Sequence, residues 1–590
     1  MPIDRRSIHE TPARSPRVCV VIGLVLLTWL VLAGRLVQLQ WISRPQLSQL
    51  ADRQRSMIES IPARPGEIVD RHGRLLATTV TMRSLYVVPT RITEPWQFAL
   101  KVSESLDVDA DQLFERITKN RTKRFLWVHR RLDDEQADGI RDLDLPPHSW
   151  GFREEYLRRY PQGKFAAHLL GLRDIDGNGR GGLEQSLGSV IRGQDGRRTL
   201  VRDARGRVVD VREDVAEAPR HGRTAVLTID AVVQLYAERE LETVMKEWKP
   251  KSACAIVIDP RTCDVLAMAS RPTFDPNRPV NVPPAAWKNT AISAIYEPGS
   301  TFKPFIVAWG LQKGVIAADS SFDCENGSYR MGRRILHDHH SYGRLSLTDV
   351  LVKSSNIGMA KIGERLTNKE LFAASVRFGF GRKTGISLPG ELQGMLRPLK
   401  KWNSYSTGSI PMGQEIAVTP LQLISGIAVL AGDGVLRTPR LVSKTVEHID
   451  AIPEDVPATS FRPTVTSPAI ERDIGRWLVE GPLVDVVKRG TGTKARLEDY
   501  KVFGKTGTAQ KPDPATGKYS SQLHVSSFFC GAPANDPRVL VLIVADEPTV
   551  GKTHYGGTVA APAASRLLHK TLLHLRISPG GKPLREARRP

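Results

Sequence analysis

The chain has 590 residues, several times the ~100–200 of a typical domain, so more than one domain is expected. Lys and Arg number 84 against 63 Asp and Glu, a net charge of +21, while 41% hydrophobic and 25% charged residues are ordinary globular values. With 48 Gly and 40 Pro, a collagen-like or wholly unstructured chain is excluded, and five cysteines cannot staple a chain of this length. The charge by itself leaves nucleic acid, anionic membrane and anionic polymer open as partners.

From Val18 to Gly34 seventeen residues run without a charge, and Leu36 to Leu39 bring the stretch near the ~20 residues that span a bilayer. Arg5, Arg6, Arg14 and Arg17 precede it. The positive-inside bias therefore places residues 1–17 in the cytoplasm, 18–40 in the membrane and the remaining ~550 outside. Trp41 stands where an interfacial aromatic anchor belongs. A cleaved signal peptide is the competing reading, with Val31-Leu32-Ala33 as its cleavage pattern. The apolar run exceeds the ~7–15 residues usual for such a signal, so an uncleaved single-pass anchor is expected over a signal or a buried core helix. Export takes nucleic acid out of the partner set and leaves lipid head groups or wall polymer.

Residues 45–60 are polar and read as a stalk. Arg64 to Leu76 reads as strand, tight turn, strand, and from about 61 to 222 short strands alternate with amphipathic helices. Lys119 to Trp127 interleaves basic and aromatic residues as nucleic-acid binders do, a reading that export disfavours. Asp174 to Gly179 matches the first six positions of an EF-hand loop, but its twelfth falls on Gln185, with Glu184 one place early. A Gly-rich turn is expected there instead. Arg192 to Arg223 mixes nine Arg with six acidic residues, the texture of a solvated face. Cys254 and Cys263 flank a turn at Asp259 to Thr262. Hairpin pairing sets Cys254 opposite Ala267 and Cys263 opposite Ile258, out of bridging range, so free thiols are expected. His337-Asp338-His339-His340 tempts as a metal site, but adjacent side chains diverge and no spaced partner pair is evident, so no metal or cofactor is expected. From Thr224 to about Leu575 the texture is strands and long apolar helices. Arg576 to Pro590, with five Lys/Arg and one Glu, reads as a disordered basic tail.

Three short motifs carry chemistry. Pro298-Gly299-Ser300-Thr301-Phe302-Lys303 opens an apolar helix, with Ser300 at its N-terminus and Lys303 on the same face. A serine hydroxyl needs a base, and a desolvated lysine near other cations can serve as one. Alone, Ser-x-x-Lys is common by chance and reads equally as a capping serine with a surface lysine. Ser354-x-Asn356 follows 54 residues after Ser300, and Lys505-Thr506-Gly507-Thr508 follows 205 residues after it, on a strand. A side chain at Gly507 would block a substrate backbone laid along that strand.

Ser-x-x-Lys, Ser-x-Asn and Lys-Thr-Gly in this order resemble the signature of serine penicillin-binding proteins and class A β-lactamases. Arg64 to Gly73, Tyr160-Pro161 through Gly171, Gly182-Leu183-Glu184, Gly413-Gln414, Thr419 to Gln422 and Tyr555-Gly556-Gly557 extend the likeness to class B penicillin-binding proteins, from the span to about residue 565. Cys263 departs from the family, which often has glycine at that turn. The resemblance implies an α+β fold. An N-terminal transmembrane helix leads to an elongated pedestal of dimerisation type at 41–222. A penicillin-binding serine transpeptidase domain follows at 223–575, with an antiparallel five-stranded sheet flanked by helices, and then the tail at 576–590. It also implies roles. Ser300 attacks the penultimate D-Ala carbonyl of a stem peptide, Lys303 takes its proton, Ser354 relays a proton to the leaving amine, and Asn356 holds Lys303 and the substrate. Lys505 supplies positive potential, Thr506 and Thr508 bind the donor carboxylate along the strand at Gly507, and the Ser300 and Thr508 amides form an oxyanion hole. β-Lactams would be trapped at the same serine.

Residues 45–222 are too short for the glycosyltransferase of a class A enzyme. A D,D-carboxypeptidase uses the same residues with water as acceptor and stays open. A β-lactamase is usually smaller and soluble, a sensor should carry a cytoplasmic module, and a scaffold should lose Ser300 or Lys303. The short N-terminal region and single span look most like division-type members rather than elongation-type ones. That likeness implies a polytopic glycan polymerase as membrane partner.

Overall fold

A computed structural model describes residues 16–203, 208–451, 459–513, 516, 518–550 and 554–580. The expected cytoplasmic segment, but for Pro16 and Arg17, and the tail from residue 581 lie outside these. Two compact units divide the chain: Met1–Ala63 with Gln194–Arg220, and Arg64–Gly193 with His221–Pro590.

In the first unit the uncharged run forms the helix Pro16–Val37, continued by a π-helical turn Gln38–Ile42. Together these 27 residues are long and apolar enough to cross a membrane, and none of the apolar stretch is buried against protein. A soluble core helix would hide that surface; a bilayer is the solvent that suits it. The polar stalk is the helix Arg44–Arg55, followed by the strand Ser56–Ile61. That strand pairs antiparallel with Gly196–Arg202, which pairs with Val208–Glu217.

The second unit is built on two sheets. One contains seven strands, running Thr459–Ser460, Val442–Val446, Thr224–Leu227, Ile68–Val69, Leu75–Val87 and Leu126–Leu132, with Trp150–Arg159 also paired to Leu75–Val87. Ala225 lies beside Ile68 in parallel, and Thr445 flanks Ala225 on the other side. Residues on both sides of position 222 thus share one ladder. Below it Glu184, fully buried, accepts from Arg158 (2.5 Å) and Arg173 (2.6 Å). The glutamate next to the would-be calcium position is therefore engaged by two guanidinium groups. Asp174 closes its own turn by accepting from the Asp176 and Asn178 amides.

The other sheet has five antiparallel strands: β1 (Ser252–Asp259), β2 (Asp264–Arg271), β3 (Phe503–Pro512), β4 (Tyr519–Ala532) and β5 (Val539–Asp546), in the order β2-β1-β5-β4-β3. Strands β1, β2 and β5 are buried along nearly their whole length, so their sequences run continuously apolar rather than alternating. Cys254, Ile256, Ile258, Phe529 and Leu542 face one core with Phe305 of helix Lys303–Gln312 and Ile424 of helix Pro420–Ala431. Ala253, Ala255, Val257, Phe528 and Val541 face the other with Val233 of helix Ala231–Trp248 and Leu567 of helix Ala561–His574. β3 is the sheet's edge strand, paired only with β4 among the described residues; an edge strand is the kind of element to which an extended peptide can add.

Two local expectations are corrected. Cys254 pairs with Ser270, not Ala267, because residues 260–263 form the turn and a bulge follows Val257. Both thiols are free, and Cys263 holds the left-handed conformation (φ 60°) that glycine would adopt without strain. The tail is packed at its start: Ile577 is buried and its carbonyl accepts from the Tyr500 hydroxyl at 2.7 Å.

Candidate active site

Ser300 sits in the 3₁₀ turn Gly299–Phe302, which Lys303 and Pro304 convert into the helix Lys303–Gln312. Proline there costs no hydrogen bond, since a helix leaves its first N–H groups without internal partners. The turn is pinned from three sides. Gly299 N–H donates to Gly413 O at 3.1 Å, and a Cβ on Gly413 would lie 2.2 Å from Gly299 O, so only glycine permits this approach. Glu297 accepts from the Glu415 amide and from the Tyr519 hydroxyl, both at 2.9 Å.

Ser354 closes the site from the other side. It has φ 59°, a left-handed conformation that costs a non-glycine residue energy and concentrates at functional sites. Its hydroxyl donates to Ser300 Oγ at 2.9 Å. Lys505 Nζ donates to Ser354 Oγ at 2.9 Å, and Lys303 Nζ lies 3.2 Å from the same oxygen. Lys303 also donates to the Ser354 carbonyl (2.6 Å) and to Asn356 Oδ1 (2.9 Å). All five residues expected to act chemically are thus brought together, and the bonded path from Ser300 to either lysine runs through Ser354.

Both lysines are fully buried. Burial brings the Lys303 ammonium down to about 7, with the carboxylate of Asp338 opposing the shift. Lys505 is pushed well below its ordinary value by burial and by the neighbouring Lys303. Two ammonium groups sharing one hydroxyl oxygen repel, so one of them is readily neutral near pH 7 and able to accept a proton.

On β3, Lys505 and Gly507 point to one face and Thr506 and Thr508 to the other, as strand alternation requires. Thr506 Oγ1 pairs with Thr491 Oγ1 at 2.7 Å, and Thr508 Oγ1 accepts from the Gly556 amide at 3.1 Å. Each arrangement leaves a hydroxyl proton for an anion. The reason inferred for Gly507 needs correcting. A Cβ there would meet Ser527 Oγ at 2.3 Å, Thr301 Cγ2 at 2.8 Å and Pro298 O at 3.0 Å. Glycine lets β3 pack against the turn that carries Ser300; the obstruction is internal, not on the substrate's path.

Sequence reasoning missed two residues. Asp338, weighed only as a metal ligand, accepts from Ser355 Oγ (2.6 Å), from the Asn356 amide and from the Ile357 amide (3.1 Å). It receives the first two amides of the helix Asn356–Arg377, whose own N-cap is Ser355, and so holds the Ser-x-Asn motif in place. Thr491 supports Thr506 from a loop with no motif of its own. A carboxylate among histidines ahead of a helix start was the available signal for Asp338; nothing marked Thr491.

Fold and motif geometry together define the class of serine-type, penicillin-binding transpeptidases. The family described as "Penicillin binding protein transpeptidase domain" matches residues 253–569, and "Penicillin-binding Protein dimerisation domain" matches 60–227. The chain is 31% identical to the probable peptidoglycan D,D-transpeptidase PenA of Neisseria meningitidis, over 97% of this chain and 94% of that one. It is also 31% identical to peptidoglycan D,D-transpeptidase FtsI of Escherichia coli K12, over 95% and 92%. Its fold resembles penicillin binding protein 3 of Mycobacterium tuberculosis complexed with aztreonam, with TM-score 0.68, 26% identity and coverage of 89% and 99%. The chain belongs to the class B penicillin-binding proteins.

Proposed function

We propose that the chain cross-links peptidoglycan stem peptides through an acyl-enzyme on Ser300, in septal wall synthesis during division. The observation that carries the chemistry is the hydrogen-bonded line from Ser300 Oγ through Ser354 Oγ to two buried lysines, one of them on the edge strand of the sheet. With Lys303 neutral, the line reverses its donors: Ser300 O–H donates to Ser354 Oγ, and Ser354 O–H to Lys303 Nζ. The Ser300 oxygen attacks the penultimate D-Ala carbonyl while its proton moves along the line. The carbonyl oxygen takes the negative charge, held by the Ser300 and Thr508 backbone amides, each such donor worth ~3 kcal/mol. Ser354 returns the proton to the departing amine of the terminal D-Ala, leaving an ester on Ser300. Asn356 orients Lys303 and the donor amide; Lys505, Thr506 and Thr508 receive the terminal carboxylate. An amine from a second stem peptide then attacks the ester, the new amide is the cross-link, and Ser300 regains its proton.

The same ester trap would hold a β-lactam. The arginines before the span support an N-terminus in the cytoplasm, with 41–222 as a pedestal and 223–575 as the catalytic domain outside. A polytopic glycan polymerase is the partner inferred at the span and pedestal. Fluorescent penicillin tests the chemistry: wild-type chain in membranes labels covalently and Ser300→Ala does not. Labelling of Ser300→Ala sinks the assignment. Release of free D-Ala without dimeric peptide would make the chain a carboxypeptidase. A fluorescent fusion tests the septal role, which uniform sidewall signal without midcell enrichment would defeat.

A further inference from the structure

Away from Ser300, three residues far apart in sequence converge at the N-terminus of the helix Ala231–Trp248. They are His72 of the Arg64–Gly73 box, Asp230 at the helix cap and His574 at the end of the helix Ala561–His574. We propose that His72, Asp230 and His574 form a binding site for one divalent transition-metal ion of the Zn²⁺ class.

The ligand atoms are already gathered. His72 Nε2 lies 3.2 Å and His574 Nε2 3.0 Å from Asp230 Oδ2, and all three ligand atoms fall within 4.8 Å of one another. Zinc bound by nitrogen and oxygen at ~2.0–2.2 Å in tetrahedral geometry sets its ligand atoms roughly 3.3 Å apart. Two imidazoles and one carboxylate favour such an ion over Mg²⁺ or Ca²⁺, which prefer all-oxygen shells.

The carboxylate is oriented by its other oxygen. Asp230 Oδ1 accepts from the Val232 (3.0 Å) and Val233 (3.3 Å) amides; His574 Nε2 lies 3.0 Å from both carboxylate oxygens, and His72 Nε2 faces Oδ2. Support of this kind from outside the ligand set is what fixes a metal ligand in place. Asp70, also buried, holds the neighbouring turn by accepting from the His72, Arg74 and Ala231 amides, and pairs with Arg74 at 3.5 Å. The His574 ring lies edge-on to Tyr236, and the Lys570 ammonium sits over that tyrosine. The Asp230 side chain is fully buried, His574 is 23% exposed and His72 50% exposed, so an ion can enter from solvent and keep a water in its fourth position.

The bland alternative is two imidazoles donating to one carboxylate. Metal binding differs in that each ring presents the Nε2 lone pair, with its proton on Nδ1, and two neutral rings replace two N–H donors. The ion would tie the N-terminal box to the start of the helix Ala231–Trp248 and the end of the helix Ala561–His574, which meet at one end of the helical layer behind the five-stranded sheet. This inference stands apart from the acyl-transfer reading.

The test uses the detergent-solubilised full chain, stripped with chelator and titrated with Zn²⁺ by calorimetry. One equivalent is expected to bind, at micromolar Kd or tighter, and to raise the thermal unfolding midpoint. His72→Ala, at an exposed position, and His574→Ala should each weaken that equivalent at least tenfold, while penicillin labelling of both variants shows them folded. Co²⁺ in place of Zn²⁺ should give visible absorption in wild type that His72→Ala abolishes. A variant lacking His339 and His340 should bind as wild type does. The site is overturned if no saturable equivalent appears, if it survives in His72→Ala, or if it disappears instead with His339 and His340.

Discussion

Replacing Asp338 by Asn keeps the shape of the residue that receives the first amides of the helix Asn356–Arg377 but removes its charge. The amide oxygen can still accept from the Asn356 and Ile357 amides, as the carboxylate does now. What changes is the field at Lys303, whose Nζ donates to Asn356 Oδ1 at 2.9 Å, one residue removed from Asp338. Burial lowers Lys303 to about 7 and Asp338 pulls it the other way, since a nearby negative charge favours the ammonium. A unit charge at this kind of remove is worth on the order of 1.5 kcal/mol at an effective dielectric near 20. By ~1.36 kcal/mol per pH unit that is about one unit. Lys303 works as a base only when neutral, so acylation should rise with pH through about 7 in the wild-type chain. In Asp338→Asn the ammonium is less favoured, and the rising limb should move about one unit lower. The assay is the second-order rate of labelling by a fluorescent penicillin from pH 5 to 9, with Asp338→Ala as the variant that also loses these hydrogen bonds. A limb that stays in place, or moves upward, would refute the electrostatic link between Asp338 and Lys303.

Other consequences can be measured directly. Gly507→Ala places a methyl 2.3 Å from Ser527 Oγ and 2.8 Å from Thr301 Cγ2. Overpacking of this kind costs ~1–3 kcal/mol, and displacement of the Ser300 turn should slow penicillin labelling at least tenfold; labelling at the wild-type rate contradicts the packing account. Glu184→Gln leaves the buried Arg158 and Arg173 guanidinium groups without their carboxylate. Thermal or urea unfolding should report a loss of ~3–5 kcal/mol, and a loss below about 1 kcal/mol would show that the triad contributes little. Thr491→Val removes the partner of the Thr506 hydroxyl. One hydrogen bond of ~1 kcal/mol predicts roughly fivefold weaker binding of a carboxylate-bearing β-lactam, with the limiting acylation rate unchanged, as saturation kinetics can resolve.

Legibility followed locality. The N-terminal apolar helix could be read because an uncharged run of this length leaves few alternatives, and it forms Pro16–Val37 with every side chain exposed. Ser300 and Lys303 share one turn of helix, while Thr506 and Thr508 share one strand face, so spacing alone placed each pair. The Cys254 pairing failed because a hairpin register depends on turn length and on a bulge, and apolar runs buried on both faces carry no alternation to correct it. Gly507 was recognised as necessary for the wrong reason, since the direction of a missing Cβ is set by which face of β3 meets the turn.

The amino-acid order by itself determined the apolar N-terminal helix, the family likeness and the residues of the three motifs, because each rests on neighbours within a few positions of one another. Tertiary structure alone decided that Ser354 links Ser300 to both lysines, that Asp338 steadies the helix carrying Asn356, and that Ile68 and Ala225 share a ladder. It also decided that His72, Asp230 and His574 meet. These residues stand tens to hundreds of positions apart, and only the packing of helices against sheets brings such groups within hydrogen-bonding distance, where burial and opposing charge then shift their protonation.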